Sequence, residues 1–85
     1  MLKKFLAFLR KSKEQNDKAA YEAGYDWAAG FILRGVQEGV QVARAHRAHV
    51  LAMATEGQPF DRGATDAVYD LQLLLPQYFP DQRAP

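Results

Sequence analysis

The sequence predicts an all-α protein, a small helical bundle of three to four helices, on three observations. Apolar residues recur every three or four positions along most of the chain, which is the period of an α-helix. No segment shows the strict alternation of a half-buried strand. Glycine and proline gather at a few points, above all in EGQP (56–59) and at Pro76, where helices are expected to end. At 85 residues without cysteine, the chain is expected to form one small domain without disulfides.

The first predicted element is a short amphipathic basic helix at residues 1–15. Its apolar side chains follow the spacing i, i+3, i+4, i+7, in Leu2, Phe5, Leu6 and Leu9. Its basic side chains are Lys3, Lys4, Arg10 and Lys11. The polar run SKEQND (12–17) is predicted to end it. Such a helix covers the core, docks into a partner groove, or lies on an anionic membrane. Its apolar run FLAFL is too short for the ~7–15 residues of a signal-peptide core.

A compact helical core is predicted over residues 16–76, and its first helix contains the stretch YEAGYDWAAG (21–30). A helix is expected to begin near Asn16 or Asp17, since either residue type is a good N-cap. An interior glycine costs about 1 kcal/mol of helix propensity, so its presence indicates a close backbone neighbour. Gly24 and Ala28 are predicted to form a groove on the buried stripe, with Tyr21, Tyr25 and Ile32 as the flanking ridges.

The next predicted helix follows a bend or break between Gly35 and Gly39 and runs to Glu56. Its apolar stripe is Val36, Val40, Ala43, Val50 and Ala54. Gly57 suits the position after a helix end, and Pro59 cannot continue a helix.

The last predicted helix covers about 61–75, with Asp61 as its N-cap. Its expected buried face is Phe60, Ala64, Ala67, Val68, Leu71, Leu74 and Leu75. Residues 77–85 are predicted to form a C-terminal tail, from which Tyr78 and Phe79 pack back.

Two segments of the predicted core repeat one pattern. YEAGYDWAA (21–29) and FDRGATDAV (60–68) share an aromatic residue, an acid, a glycine and an alanine in the same order. The pattern indicates either an internal duplication or one solution to tight helix crossing used twice.

The titratable residues show no pattern that predicts catalysis. His46 and His49 are three apart on one helix face, but a metal site needs a third or fourth ligand. Acid–base chemistry by Asp61, Asp66 and Asp70 would need a cleft and a substrate-binding surface, and nothing else in the sequence indicates one. We therefore expect no enzyme activity, no metal and no cofactor.

Charge is distributed unevenly, although the net charge is only +1. Residues 1–18 carry six basic and two acidic side chains, whereas residues 55–85 carry two basic and five acidic ones. A dedicated nucleic-acid binder is usually basic overall. The predicted partner-binding residues are the basic side chains of the first helix named above, a basic surface of Arg44, His46, Arg47 and His49, and a dimer contact or anchor formed by Trp27 and Phe31.

Two predicted helices carry a residue pattern that resembles a known family. The pattern consists of Gly24, Tyr25, Ala28 and Gly30 on the first helix and Phe60, Gly63 and Ala67 on the second. The layout resembles that of ribosome modulation factor and of small phage and prophage proteins with a similar pattern. In that family two helices pack together and a very basic surface meets ribosomal RNA, so the resemblance implies a packed helix pair and an RNA partner. The connection between the two elements is long in this chain, its net charge is near neutral, and the resemblance transfers no site residue.

The function expected from the sequence is therefore the binding of another macromolecule without catalysis. A protein partner is expected first, as for a bacterial or phage accessory or inhibitor protein of the anti-defence type. The alternatives are an RNA- or ribosome-associated factor and a peripheral membrane protein held by residues 2–13. A cytoplasmic location and a homodimer are also expected.

Overall fold

A computed structural model describes the backbone of residues 2–80 and the side chains of residues 13–80. Within that part of the chain lie three α-helices, α1 (Leu2–Glu38), α2 (Val40–Met53) and α3 (Pro59–Leu74), and one 3₁₀ turn (Pro76–Tyr78). No strand occurs among these residues. The predicted all-α class is confirmed.

Helix α1 is continuous through the run SKEQND, where a break was expected. A separate helix over residues 1–15 and a new N-cap at Asn16 or Asp17 are therefore not found. Serine, asparagine and aspartate favour caps, but in a helix interior each costs only a few tenths of a kcal/mol, about 0.7 at most. The chain has neither glycine nor proline before Gly24, so nothing forces it to turn. The side chains of Lys3, Lys4, Arg10 and Lys11 lie outside the described residues.

The reversal between α1 and α2 takes place at Gly39 alone. Its φ of 117° is a backbone conformation that favours glycine. The Gly39 N–H donates to the Val36 carbonyl at 3.2 Å, and the Gly39 carbonyl accepts from the Ala43 N–H at 3.0 Å. Gly35 stays inside α1, so only one of the two predicted breakpoints is used.

The connection from α2 to α3 starts earlier than predicted, after Met53 rather than Glu56. Gln58 is the N-cap of α3 and Pro59 opens the helix. Asp61 is therefore not the N-cap. It is the third helical residue, and its carboxylate accepts from the backbone N–H groups of Glu56 at 3.1 Å and Gln58 at 3.4 Å. Asp61 still stabilises the helix start, as one half of a capping box with Gln58.

Helices α1 and α3 meet backbone to backbone at two glycines. A Cβ built on Gly24 would overlap the Phe60 carbonyl oxygen and lie 2.7 Å from its carbon. A Cβ on Gly63 would overlap the Tyr21 carbonyl oxygen and lie 2.9 Å from its carbon. The contact is reciprocal, because each glycine faces the residue three positions before the other. The prediction that Gly24 marks a close helix approach is confirmed.

The two helices run in the same direction past this crossing. Tyr21 donates its hydroxyl hydrogen to Asp66, and Tyr25 donates to Asp70. Both partners advance by four residues together, which is one turn on each helix. The two segments that repeat the pattern are thus the parts of α1 and α3 that cross. Each is followed, one turn later, by a buried apolar residue, Ile32 on α1 and Leu71 on α3.

The core is small and drawn from all three helices and the C-terminal turn. Its fully or almost fully buried apolar members are Ala28, Ile32, Ala43, Val50, Ala64, Ala67, Val68, Leu71 and Phe79. Phe79 is 2% exposed, and Tyr78 packs against the core, so the predicted return of these two aromatics is confirmed.

Three residues of the predicted stripes are exposed instead of buried: Val40, Phe60 and Leu74. Leu74 lies one turn after Asp70, on the row of α3 that carries the tyrosine-paired aspartates. Phe79 enters the core after Pro76 and fills it where α3 ends. Within the described part of the chain, no helix is both long and apolar enough to cross a membrane.

Candidate interaction surface

The predicted basic surface of Arg44, His46, Arg47 and His49 is divided between two sides of α2. Successive residues of a helix are about 100° apart, so Arg44 and His46 point about 160° away from each other. Both histidines contact the ring of Phe31 on α1. Arg47 is half-buried, and its Nε atom is buried without a hydrogen-bond partner among the described residues. The two arginines therefore do not share the surface of the two histidines.

His46 is fixed by Phe31 in two ways. The two rings stack with centroids 4.0 Å apart and planes 5° from parallel. The His46 Nδ1 atom also lies 2.7 Å from the Phe31 carbonyl oxygen. A carbonyl oxygen only accepts hydrogen bonds, so Nδ1 must carry the hydrogen. In the neutral ring this leaves Nε2 as the acceptor.

Gly35 leaves the space that the His46 ring occupies. A Cβ at Gly35 would lie 2.9 Å from the His46 Nδ1 atom and 3.0 Å from its Cγ. Gly35 is buried in the last turns of α1, one turn after Phe31. The glycine thus lets an imidazole from α2 lie flat against α1.

The rings continue from His46 as a row along the molecule. Trp27 stacks on Phe31 with centroids 6.0 Å apart, and Phe60 of α3 lies 5.7 Å from Trp27 at an angle of 37°. His49 contacts Phe31 at 5.4 Å. Aromatic pairs in such geometries contribute about 0.5–1.5 kcal/mol beyond the area they bury. The row therefore ties all three helices together while its outer edge faces solvent.

A hollow of about 280 Å³ opens at the Phe60 end of this row. Its walls are Trp27, Met53, Ala54, Phe60 and Asp61. Met53 is 60% exposed and Phe60 is 38% exposed. We use the term aromatic–histidine surface for Trp27, Phe31, His46, His49, Met53 and Phe60. Arg34 borders it, with its guanidinium carbon 5.9 Å from the centre of the Phe31 ring.

The structure thus joins two predictions that the sequence kept apart. Trp27 and Phe31 were expected to form a dimer contact or an anchor, and His46 and His49 to belong to a basic surface. All four lie on one surface. Sequence reasoning missed Met53 and assigned Phe60 to the core. The spacing of His46, His49 and Met53, which share one face of α2, is the signal that could have placed Met53 here.

A second, wider cleft of about 580 Å³ lies where α1 passes the start of α3. Its lining includes Asp17, Lys18, Tyr21, Arg62 and Asp66. Asp61, which also lines it, caps α3, and Asp66 accepts the hydroxyl of Tyr21. Asp61 and Asp66 therefore have structural roles in this cleft.

The aspartates of α3 hold two tyrosine hydroxyls. The hydrogen bond to Asp66, followed by burial and the negative charges nearby, raises the pKa of Tyr21 above its ordinary value of 10.0. The hydrogen bond to Asp70 raises the pKa of Tyr25 in the same way. Among the side chains of residues 13–80, no three histidine, cysteine, aspartate or glutamate residues come together in a way that could hold a metal ion.

The far end of α3 presents a third feature, three large apolar side chains in solvent. Tyr69 is 55% exposed, Leu73 81% and Leu74 73%. Tyr69 and Leu73 are one turn apart, and Leu74 follows Asp70 by one turn. We call these three residues the leucine face.

Comparison of the chain with protein-family models, with curated proteins and with solved structures finds no match.

Proposed function

We propose that this protein acts without catalysis, by binding a protein partner through the aromatic–histidine surface. The observation that carries the proposal is one surface of six side chains from three helices, three of which, Trp27, Met53 and Phe60, line an apolar hollow. Tryptophan, phenylalanine, methionine and arginine are the residue types enriched in protein interfaces. Aromatic anchors near the centre of a contact usually supply most of its binding energy. An accessory or inhibitor protein of bacterial or phage type would act in this way.

The size of the hollow indicates what the partner inserts. Small-molecule pockets usually measure about 300–1,000 Å³ and enclose their ligand. The hollow here measures about 280 Å³ and is open to solvent on one side. One apolar side chain of a partner fits it, against Trp27, Met53 and Phe60. Arg34 and His49 at the other end of the row would pair with polar groups around that anchor.

An RNA- or ribosome-associated role is the second candidate. The reciprocal packing of Gly24 and Gly63 gives the helix pair that the resemblance to ribosome modulation factor implies. The charge of that pair argues for the protein partner instead, because it sums to zero: α1 carries seven basic and five acidic residues, and α3 carries one basic and three acidic ones. RNA binding through phosphate contacts would weaken steeply with added salt.

The test is affinity capture of the tagged full chain from bacterial lysate, with and without nuclease, followed by mass spectrometry. Met53→Glu places a charge at the rim of the hollow. Ala48→Glu is the matched control, since it adds the same charge to an exposed position of the same helix about 140° away. We expect a protein that is retained by the wild type and by Ala48→Glu, with or without nuclease, and lost with Met53→Glu.

Other outcomes assign the function elsewhere. Ribosomal proteins that disappear on nuclease treatment would support the RNA candidate. Binding to anionic phosphatidylserine vesicles, with no protein captured, would support a peripheral membrane role for residues 2–13. A partner retained equally by Met53→Glu and Ala48→Glu would reject the aromatic–histidine surface as the binding site.

A further inference from the structure

The leucine face is a surface that the proposed function does not use. Its three large apolar side chains lie within six residues of a single helix, and each is more than half exposed. A group of large apolar side chains exposed this close together on a small protein usually marks a contact site. The aspartates at positions 66 and 70 precede it along α3, so its border on that side is acidic.

Helix α1 extends far beyond the helices that pack against it. Its 37 residues correspond to about 55 Å at 1.5 Å per residue. The longest dimension of the protein is 57 Å. From the crossing at Gly24, α1 continues for about 33 Å towards Leu2, whereas α3 continues for only about 6 Å from Gly63 to Pro59. The beginning of α1 therefore runs out past the start of α3.

This geometry prevents the chain from covering its own leucine face with its basic segment. The two helices run in the same direction, so the leucine face and the start of α1 lie on opposite sides of the crossing. Along the helix axes, residues 2–9 and the leucine face are separated by roughly 40 Å. A continuous helix cannot fold back across that distance.

The two separated regions are complementary in charge and in apolar length. Residues 1–18 carry six basic and two acidic side chains, whereas α3 carries one basic and three acidic ones. The apolar stripe that the sequence predicts from Leu2 to Leu9 spans about 10 Å of helix, and the stretch from Asp66 to Leu74 spans about 12 Å. Each region thus has the charge and the length of apolar surface needed to pack against the other.

We propose that the occupant of the leucine face is the N-terminal stretch of a second copy, residues 2–11. In an antiparallel pair both contacts form together, because the same separation of roughly 40 Å lies between stretch and face in each copy. The interface is then isologous, as in most homodimers. It leaves the aromatic–histidine surface for another partner, so the two proposals stand or fall separately.

The test uses two complementary variants of the full chain. The face variant is Leu73→Asp with Leu74→Asp, and the stretch variant is Phe5→Asp with Leu9→Asp. Each variant alone would lack both contacts of a homodimer. A mixture of the two would restore one contact, between the intact stretch of the first and the intact face of the second. Molar mass is measured by light scattering after size-exclusion chromatography, and circular dichroism checks that each variant is folded.

We expect a wild-type dimer, two monomeric variants, and a mixed dimer when the variants are combined. Burying even one leucine contributes roughly tenfold or more in affinity, so the dissociation constant of the mixed dimer should exceed that of the wild type by at least that factor. Added salt should weaken the wild-type dimer, because it screens the attraction between the basic stretch and the acidic helix α3. Met53→Glu is the control substitution of an exposed apolar residue and should remain dimeric.

A monomeric wild type would overturn the proposal, as would a face variant that stays dimeric. Failure of the two folded, monomeric variants to associate on mixing would overturn it too, since the dimer would then use other contacts. None of these results alters the capture experiment with Met53→Glu, which reports on the other surface.

Discussion

Two glycine contacts on α1 differ in what they face. Gly24 lies against the backbone of α3, at the Phe60 carbonyl group, and Gly63 returns the contact at the Tyr21 carbonyl. Gly35, eleven residues further along the same helix, lies against the imidazole of His46, and a Cβ built on it would also lie 3.1 Å from the Ala43 Cα. Backbone groups held in two helices cannot move apart without separating the helices. The His46 ring can move if it gives up its stacking and hydrogen bond with Phe31, so the second contact can adjust without separating two helices.

The comparison shows that the effect of replacing a helix glycine depends on the atoms that lie next to it. Gly24, Gly35 and Gly63 each lower helix propensity by the same amount relative to alanine, about 1 kcal/mol. Their replacement should nevertheless have very different results, because the added methyl group meets different atoms. The expected loss of stability is therefore largest at Gly24 and Gly63 and smaller at Gly35.

Gly24→Ala and Gly63→Ala should each lower the free energy of unfolding by about 3 kcal/mol or more. Overpacking of a tight site typically costs about 1–3 kcal/mol, and here the clash is with a carbonyl group that cannot rotate away. Small domains have roughly 0.05–0.15 kcal/mol of stability per residue, so either change would remove a large part of the total. Urea denaturation followed by circular dichroism measures the loss.

Gly30→Ala is the matched control for that experiment. Gly30 lies in the same helix, and a Cβ there meets no atom within 4 Å. We expect this variant to be more stable than the wild type by up to about 1 kcal/mol, from helix propensity alone. Equal losses at positions 24 and 30 would show that the crossing does not have the described geometry.

Gly35→Ala should have a smaller effect, a net loss of about 1 kcal/mol, because the clash with the imidazole is partly offset by the gain in helix propensity. The same substitution in a His46→Ala background should cost less, since the ring that it displaces is gone. A double-mutant cycle measured by urea denaturation gives the coupling between the two positions. If the cost of Gly35→Ala is unchanged without His46, the contact with Ala43 governs the site instead.

The smallest expected effect is a change in alkaline pH dependence from the hydrogen bonds that flank the crossing. Tyr21 and Tyr25 have raised pKa values in the folded protein, so the native state keeps these protons where the unfolded chain has begun to lose them. Their contribution to stability is therefore fully present below pH 10.0, the ordinary tyrosine value, and is lost as pH rises through the raised values.

The double variant Tyr21→Phe, Tyr25→Phe tests this contribution. The free energy of unfolding of the wild type should fall more steeply above pH 10 than that of the variant, measured by urea denaturation between pH 8 and 11. Lysine titration affects both proteins alike, so the difference between the two curves isolates the tyrosines. Parallel curves would contradict the prediction.

The sequence predicted those structural features that a single segment determines by itself. The helical class, the close approach at Gly24 and the return of Phe79 all follow from local spacing and residue size. The continuity of α1 did not, because cap-forming residues in SKEQND remain helical when no glycine or proline forces a turn. Capping by Asp61 was predicted at the wrong position, since Pro59 opens the helix two residues before it.

The candidate surface was predictable only in pieces. Trp27 and Phe31 lie on α1, His46 and His49 on α2, and Phe60 on α3, so their meeting depends on how three helices pack. The stacking of His46 on Phe31 depends on Gly35, whose role a single sequence does not reveal. Periodicity assigned Leu74 to the buried face because it continues the stripe, whereas the core at that level is filled by Phe79 from beyond the helix.

The reciprocal crossing also has a consequence for how this chain can diverge over evolution. Positions 24 and 63 are 39 residues apart, yet each occupies space that the other helix needs, so a larger residue at one cannot be compensated by a smaller one at the other. We expect any lineage that keeps this fold to retain glycine at both positions while position 30 drifts freely. An alignment with a β-branched residue at position 24 or 63 would contradict that expectation. Distant relatives should then be recognisable by two aromatic-x-x-Gly-x-x-x-Ala segments, even where little else is shared.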